Sequence, residues 1–474
     1  MATSAEEAEA APPSSLLGSL TQSERRFVLQ QRTIQMLNSF MHIISTTAHY
    51  QTYLEQVQGD VGRLGLHYGR TMSINAAINT FLAPIVGSLS DAWGRHTLHW
   101  AGKAGAAIFF MLMPLNHMRF LTNPTDPAMQ RSVLQVRMAI EILGFGVLSA
   151  GNWGVFAAAH TDLFADRPAL SSRLQAADQM WRDALSTPAS LLAAFITPIV
   201  WGKSYWWLLY AASAALGWLQ LGVAVSMRET LPPGPRRKPF SLAKANPFAN
   251  VLLLFRNGRG LASLATACSA YFLCQSNWSI AASYRMGVLG WTPAHSSYFN
   301  TISSLFSSLS AGKLVLPFMK RAGNRVAFQQ GCLIATCAYV GCGLSWVGSS
   351  NVRTALQYGL SVALLQAWPA ACLHSVRAMI VKQGIEVTSA GKGELNAAIS
   401  GLGSLSGIIG PGLLWGPLFK RCSAGNGGVL GKGGHYFGCC AFMLAASVIL
   451  RTTPSSALFL EEARAKEGGA GAAE

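Results

Sequence analysis

The sequence predicts an all-α membrane protein of twelve transmembrane helices, arranged as two six-helix bundles related by pseudo-symmetry. Three observations carry that reading. Of 474 residues, 51% are apolar and 12% charged. That is about half the charged fraction of a soluble domain, too little to cover a water-facing surface of this size. Apolar stretches near the ~20 residues that a bilayer requires recur along the chain. A polar loop divides them six and six, the layout of a duplicated membrane fold. The same figures exclude a disordered chain, a disulfide-rich secreted module and a cytosolic enzyme.

The chain opens MATSAEEAEAAPPSS, without the basic start and apolar core of a secretory signal. Residues 1–30 and 454–474 are expected to be disordered cytosolic tails. Spans are placed near 34–52, 71–89, 97–117, 133–158, 175–200 and 204–226, then 260–283, 296–318, 326–347, 354–379, 395–418 and 434–450. This gives an N-terminal bundle over 31–226, a central cytosolic loop over 227–259 and a C-terminal bundle over 260–453. The first span is weakly apolar, and the fifth opens with Asp178, Arg182 and Asp183. Polar groups inside a span must face protein or water, so this weakness is itself informative.

The net charge of +16 is an orientation signal. The basic residues favour the side holding both termini by about two to one, which places both ends in the cytosol. The densest cluster, PPGPRRKPF in the central loop, suits anionic lipid headgroups. No basic stripe is interleaved with stacking aromatics, so nucleic acid is not an expected partner. The nine cysteines all follow residue 267, with no CxxC pair and no His-Cys ligand spacing. They read as small packing residues, and no metal is expected.

Residues 87–95 read GSLSDAWGR between the second and third spans. With Gly87, Leu89, Asp91, Gly94 and Arg95 in place, this resembles the loop motif of the major facilitator superfamily, with His96 where a second basic residue is common. The matching loop of the second half, Lys320 to Arg325, keeps Gly323 and its basic residues and lacks the aspartate. The segment ETLPPGPRRKPFSLAKANPFANVLLLFR resembles the central loop of the tetracycline-efflux-like and hippocampus-abundant-transcript-like branch. Gly407, Gly410, Pro411 and Gly412 resemble that branch's Gly-Pro helix, where Gly410 and Pro411 would serve helix packing. The family's antiporter Gly-Pro motif in the fifth span is absent; Thr197-Pro198 stands there.

The resemblance implies a gate built from Gly87, Asp91, Gly94 and Arg95. Gly87 would allow close helix approach. Asp91 would face the N-terminus of the eleventh span, near Glu394, and Arg95 would hold Asp91. The alternative is an ordinary tight loop with a solvated ion pair. The resemblance also places spans one, four, seven and ten around a central cavity.

In span one, Gln35, Asn38, His42, Thr46 and His49 recur at steps of three and four, so they share a face. Asn38, His42 and Thr46 are candidate cavity residues; helix–helix hydrogen bonding is the alternative. Arg137 and Glu141 stand one turn apart in span four, with Asn152 near the same face. An ionised carboxylate at mid-bilayer costs roughly 2.5–3.5 kcal/mol on insertion scales, so Glu141 pairs with Arg137 or takes up a proton. The two are candidates for proton coupling, and a structural ion pair is the competing reading. Asp162 or Asp166 with Arg173 would belong to the closing contacts. Tyr271 and Gln275, with Trp278, share a face of span seven and are further cavity candidates, with helix packing as the alternative. Lys103, Lys313 and Arg377 read as snorkelling side chains.

No P-loop, HExxH or GxSxG occurs. The expected function is secondary active transport of a small organic solute by alternating access, with no enzyme activity and no cofactor. The alternative is a non-transporting membrane receptor or scaffold. Expected partners are the solute, membrane lipid and protons, and the expected state is a monomer.

Overall fold

The computed structural model describes residues 20–164, 167–200, 205–231, 247–310, 316–347, 351–388, 392–426 and 428–454, with 18, 233, 234, 237, 240 and 314 between them. The tail readings lie outside the described residues except at 18, at 20–30, where residues 22–30 are helical rather than a disordered tail, and at 454; the side chains of Asp166, Arg173, Arg182, Asp183, Lys313 and Glu394 also lie outside them. The described chain is helical almost throughout and divides into two units. One comprises residues 1–52 and 82–245, the other 53–81 and 246–474.

The first unit begins with α1 (Gln22–Gln56), whose start is a capping box. The Glu24 carboxylate accepts from the Thr21 N–H at 2.9 Å, and the Thr21 hydroxyl accepts from the Glu24 N–H at 3.4 Å. Partial burial raises the Glu24 pKa, but Thr21 and the Arg167 guanidinium outweigh it and hold the carboxyl below its ordinary value. Next come α2 (Val61–Trp93), whose residues 61–81 belong to the second unit, and α3 (Arg95–Thr122). α4 (Pro127–Glu141) is capped by the Asp126 carboxylate, which accepts from the Ala128 and Met129 N–H groups.

The fourth pass then departs from the continuous helix expected over 133–158. A π-helical turn, Ile142–Leu148, follows α4, and the chain turns through Gly151 before α5 (Asn152–Leu163). Gly151 has φ 65°, and a Cβ there would lie 3.1 Å from the Ala83 Cα. α3 presses against this break through Gly102 and Gly105, where side chains would strike Asn152 and Leu148. The unit closes with α6 (Pro168–Val200) and α7 (Trp206–Val225). Its core joins Met41, Phe109, Phe110, Met113, Trp206 and Tyr210.

In the second unit, α8 (Pro247–Arg256) precedes the broken pass α9 (Arg259–Ser276) and α10 (Trp278–Gly287), hinged at Asn277. Then come α11 (Pro293–Ser310), α12 (Leu316–Leu344), which is interrupted at Gly323, and α13 (Asn351–Val387). α14 (Lys392–Ile409) runs through a π-helical turn, Gly410–Trp415, into α15 (Gly416–Arg421). α16 (Gly434–Thr452) ends the unit.

Counting each broken pass once, the described residues hold twelve passes. Six helical stretches are long and apolar enough to cross a membrane by themselves, among them Val61–Trp93, Trp206–Val225 and Gly431–Thr452. Outward side chains such as Phe195, Leu360 and Leu413 are more than 60% exposed, as expected where lipid is the solvent. The chain is therefore an integral, multi-pass membrane protein.

Gly410 and Pro411 lie in the π-turn of the second unit, buried among its helices. The N-terminal half of α2, which belongs to the same unit, lays a small-residue ridge, Gly65, Gly69 and Ser73, along it. A side chain at Gly69 would strike the Pro411 carbonyl, and the Gly412 N–H donates to the Ser73 hydroxyl at 2.7 Å. This is close backbone packing of the small-xxx-small kind. Gly69→Leu is therefore expected to cost about 1–3 kcal/mol of overpacking, read as a lower melting temperature of the purified protein. Gly222→Ala, where a Cβ meets open space, is expected to melt as the parent does.

Candidate functional site

The 87–95 motif turns the chain between α2 and α3, and first-unit residues hold its Gly94–Arg95 end. Gly94 takes φ 107°, a conformation that disfavours any side chain. Beyond it the α3 N-terminus is capped by a distant carboxylate. Glu229, just past α7, accepts from the N–H groups of Arg95 at 3.0 Å and His96 at 3.2 Å. A side chain at Gly94 would strike that carboxylate, so the glycine is required by both backbone and packing. The Arg95 guanidinium pairs with Asp91 at 2.5 Å and with Asp162 at 2.9 Å. The expected Arg95–Asp91 bond is present, and Asp162 joins it. Among the described residues, a Cβ at Gly87 would meet open space.

The second-unit copy has the same backbone. Gly323 takes φ 78° and ψ 164° against 107° and 161° at Gly94. Arg325 then donates to the Leu450 and Thr453 carbonyls at 3.0 and 2.8 Å, at the end of α16. Each unit thus ties this turn to the end of its own last helix.

Deeper in the first unit, Arg137 is 1% and Glu141 2% exposed. Arg137 Nε donates to Glu141 Oε1 at 3.1 Å, Nη1 to the Thr52 hydroxyl at 3.2 Å, and Nη2 to both His49 Nδ1 and the His49 carbonyl. An arginine only donates, so His49 Nδ1 accepts and the ring proton sits on Nε2, 3.7 Å from Glu141 Oε1. Thr52 links onward to the Tyr210 hydroxyl at 3.2 Å. Glu141 Oε2 is buried and makes no hydrogen bond among the described residues. One oxygen is paired and the other is open to receive a proton.

Between this cluster and the motif lies a cavity of about 210 Å³, bounded by α1, α3 and the broken fourth pass. Asn38 and His42 line it, with Gln35, Lys103, Ser149 and Asn152. Two expectations change here. Lys103 lines the cavity rather than simply snorkelling, because the α1 stripe and the fourth-pass break leave a polar space beside it. Thr46, on the same stripe, is exposed, and its hydroxyl donates to the His42 carbonyl of its own helix at 2.7 Å.

In the second unit, Tyr271 is 4% exposed within the hydrophobic core and Gln275 is half-buried. The cavity around the α9–α10 hinge is instead lined by Cys274, Asn277, Trp278 and Tyr339, and is only about 10 Å³. Asp178 pairs with Arg32 of α1 at 2.8 Å.

Sequence reading missed Glu229, Thr52, Tyr210 and the role of Lys103. His49 carried the signal of its stripe. Glu229 directly follows the last span of its half, where a carboxylate could be tested as a cap. Thr52 and Tyr210 gave no local signal.

These geometries define a helical membrane protein with a paired charge cluster, a polar cavity and a capped loop motif inside one bundle. Comparison then places the architecture among solved folds. The human organic anion transporter MFSD10 (TETRAN) aligns over 91% of this chain and 100% of its own, at 15% identity and a TM-score of 0.58. A D-xylose–proton symporter aligns over 91% and 98%, at 14% identity and 0.67. The nucleoside transporter NupG aligns over 90% and 99%, at 12% identity and 0.65. The fold is shared with these solved transporters. No family model matches the sequence. A stretch of 77 residues is 34% identical to the class G tetracycline resistance protein of Vibrio anguillarum, spanning 16% of this chain and 18% of that relative.

Glu229→Gln removes the anion at the α3 N-terminus and is expected to cost about 0.5–2 kcal/mol, the range for a lost cap. Gly94→Ala adds strain and a clash and is expected to cost more. Thermal melting of both purified variants checks the order.

Proposed function

We propose that the protein is a secondary active transporter of a small organic solute, working by alternating access. The observation that carries this reading is the set of polar groups buried inside an apolar bundle. Arg137, Glu141 and His49 are costly at that depth, and the adjoining cavity adds unspent hydrogen-bonding capacity. A passive scaffold has no use for either. The solved neighbours carry chemically diverse solutes by name, so they support transport without selecting a substrate.

In this reading the motif loop biases a two-state equilibrium. Asp91, Arg95 and Asp162 form a latch, and Glu229 fixes the turn that presents it. Arg137 and Glu141 are the coupling pair. Glu141 Oε2 takes up a proton, which weakens the hold of Oε1 on Arg137 and frees the guanidinium to rearrange with His49 and Thr52. Asn38 and His42 serve the solute site, while Thr46, Tyr271 and Gln275 contact solute in other conformations. Gly87 would let helices approach in another conformation, Gly94 makes the turn of the latch, and Gly410 and Pro411 serve helix packing. Both termini lie in the cytosol, following the distribution of basic residues, and the protein works as a monomer in contact with lipid.

Uptake into proteoliposomes tests the coupling. Wild type is expected to accumulate solute when a pH gradient is imposed. Glu141→Gln is expected to lose that accumulation while keeping solute counterflow, because a neutral amide carries no proton across. Gradient-driven accumulation by Glu141→Gln at the wild-type rate contradicts the coupling role. Asp91→Asn and Arg95→Ala are expected to lower both modes at least tenfold with normal membrane insertion; wild-type flux by both removes the latch.

A further inference from the structure

The cavity beside the charge cluster differs from it in one respect. In the cluster, Arg137 faces Glu141 and the pair is neutral overall. In the cavity, Lys103 has no acidic counterpart. No aspartate or glutamate lines the space, and Lys103 makes no ion pair among the described residues. Asp178, lower in the bundle, is held by Arg32. Lys103 is the eighth residue beyond Arg95, about 12 Å along the helix, so its backbone lies well inside the span and its side chain lines the cavity.

The remaining polar groups point to the same ligand. Gln35 is 8% exposed, lines the cavity and makes no hydrogen bond among the described residues, so its Nε2 amide is available to donate to an anion, while its enclosed Oε1 can only accept and takes no part in holding one. The Asn38 carbonyl is approached by Gln220 Nε2 at 3.5 Å, which leaves its amide donors for the cavity. The His42 ring contacts Phe110 and Phe145, and its nitrogens make no hydrogen bond among the described residues. By contrast, the Ser149 hydroxyl is spent on the Gly144 carbonyl and the Asn152 side chain on His99.

The third contribution is the backbone. α5, twelve residues long, starts at the cavity with Asn152, and no side chain caps it. Its positive end therefore opens where Lys103 lies. The break that creates this N-terminus is enforced by the close packing at Gly102, Gly105 and Gly151.

We propose that this cavity binds a small organic anion through a single carboxylate, held by Lys103, the α5 N-terminus and the amides of Gln35 and Asn38. One unpaired cation balances one negative charge, so a monoanion fits and a dianionic phosphate does not. At about 30 Å³ per water, 210 Å³ is roughly seven waters' worth of space. Ile34, Ala106, Phe145 and Phe156 give part of the wall an apolar surface. A carboxylate on a short apolar body fills it. This deepens the transport reading by naming the solute class, and it rests on that reading only for the steps after binding.

Labelled benzoate is the probe, with benzamide as its neutral counterpart and inorganic phosphate as a second anion. The full-length protein is reconstituted in zwitterionic lipid nanodiscs. Saturable benzoate binding is expected, with no competition from benzamide and little from phosphate. Lys103→Met is expected to weaken it about ten- to hundredfold, the scale of a charge-assisted hydrogen bond. Gln35→Leu is expected to weaken it about fivefold, the scale of a neutral one. Unchanged gel-filtration profiles show that both variants fold. The proposal is overturned by no saturable benzoate binding to wild type, by equal binding to Lys103→Met, or by stronger competition from benzamide or phosphate. Counterflow separates the two readings. Benzoate that binds through Lys103 but never crosses the membrane overturns transport and leaves the anion site. Flux of a neutral solute that ignores Lys103→Met, with the binding criteria failed, does the reverse.

Discussion

The Arg137 guanidinium is the charge around which the interior of the first unit is arranged. Buried among apolar helices, it has too little water to satisfy its donors, so the protein must supply acceptors at fixed positions. Glu141 stands one turn away, and α1 brings His49 and Thr52 to the other face. Each partner then has its own requirement: Thr52 reaches Tyr210, and the His49 tautomer is set by the arginine. The register of α1 against α4 follows from these bonds as much as from apolar packing. The open Glu141 Oε2 is what remains after the network has satisfied the rest.

Backbone geometry obeys the same constraint. A helix within a membrane can break only where protein groups take up the freed peptide N–H and C=O groups. The fourth pass breaks after Glu141, and the Ser149 hydroxyl and the glycines of α3 close around the gap. The eleventh pass breaks at Gly410–Trp415, where Trp415 Nε1 donates to the Leu273 carbonyl at 2.8 Å and Ser73 receives the Gly412 N–H. Both breaks combine glycine with side-chain hydroxyls. The loop turns at Gly94 and Gly323 repeat one backbone solution with different anchors, a carboxylate in one unit and an arginine in the other.

What the sequence made legible was set by range. The twelve passes could be read because each span is a local composition. The 87–95 motif, the α1 stripe and the Arg137–Glu141 step could be read because helical periodicity puts their members within a few residues. Helix ends ran past the expected spans, as α1 and α13 show, because a helix continues beyond the apolar segment where its own hydrogen bonds still close. The contacts that position the site were not legible. Glu229 reaches Arg95 across 134 residues, and Ser73 meets Gly412 across 339. No local pattern encodes such a pairing. The reading of Lys103 changed for the same reason: a lone lysine in a span looks like a snorkelling side chain until the cavity beside it is seen. The π-turn after Glu141 was hidden because Gly144 and Gly146 read equally well as packing glycines.

The central claim is that Arg137 and Glu141 are one unit, kept for function at a cost in stability. The most direct measurement is the thermal stability of Arg137→Met, Glu141→Leu and the double variant, with counterflow measured on each. Each single change should strand a buried charge and cost about 3–5 kcal/mol, while the double change, which removes both charges, should restore near-parental stability with flux still lost. If the double variant is no more stable than the singles, or if it transports as the parent does, the account is contradicted.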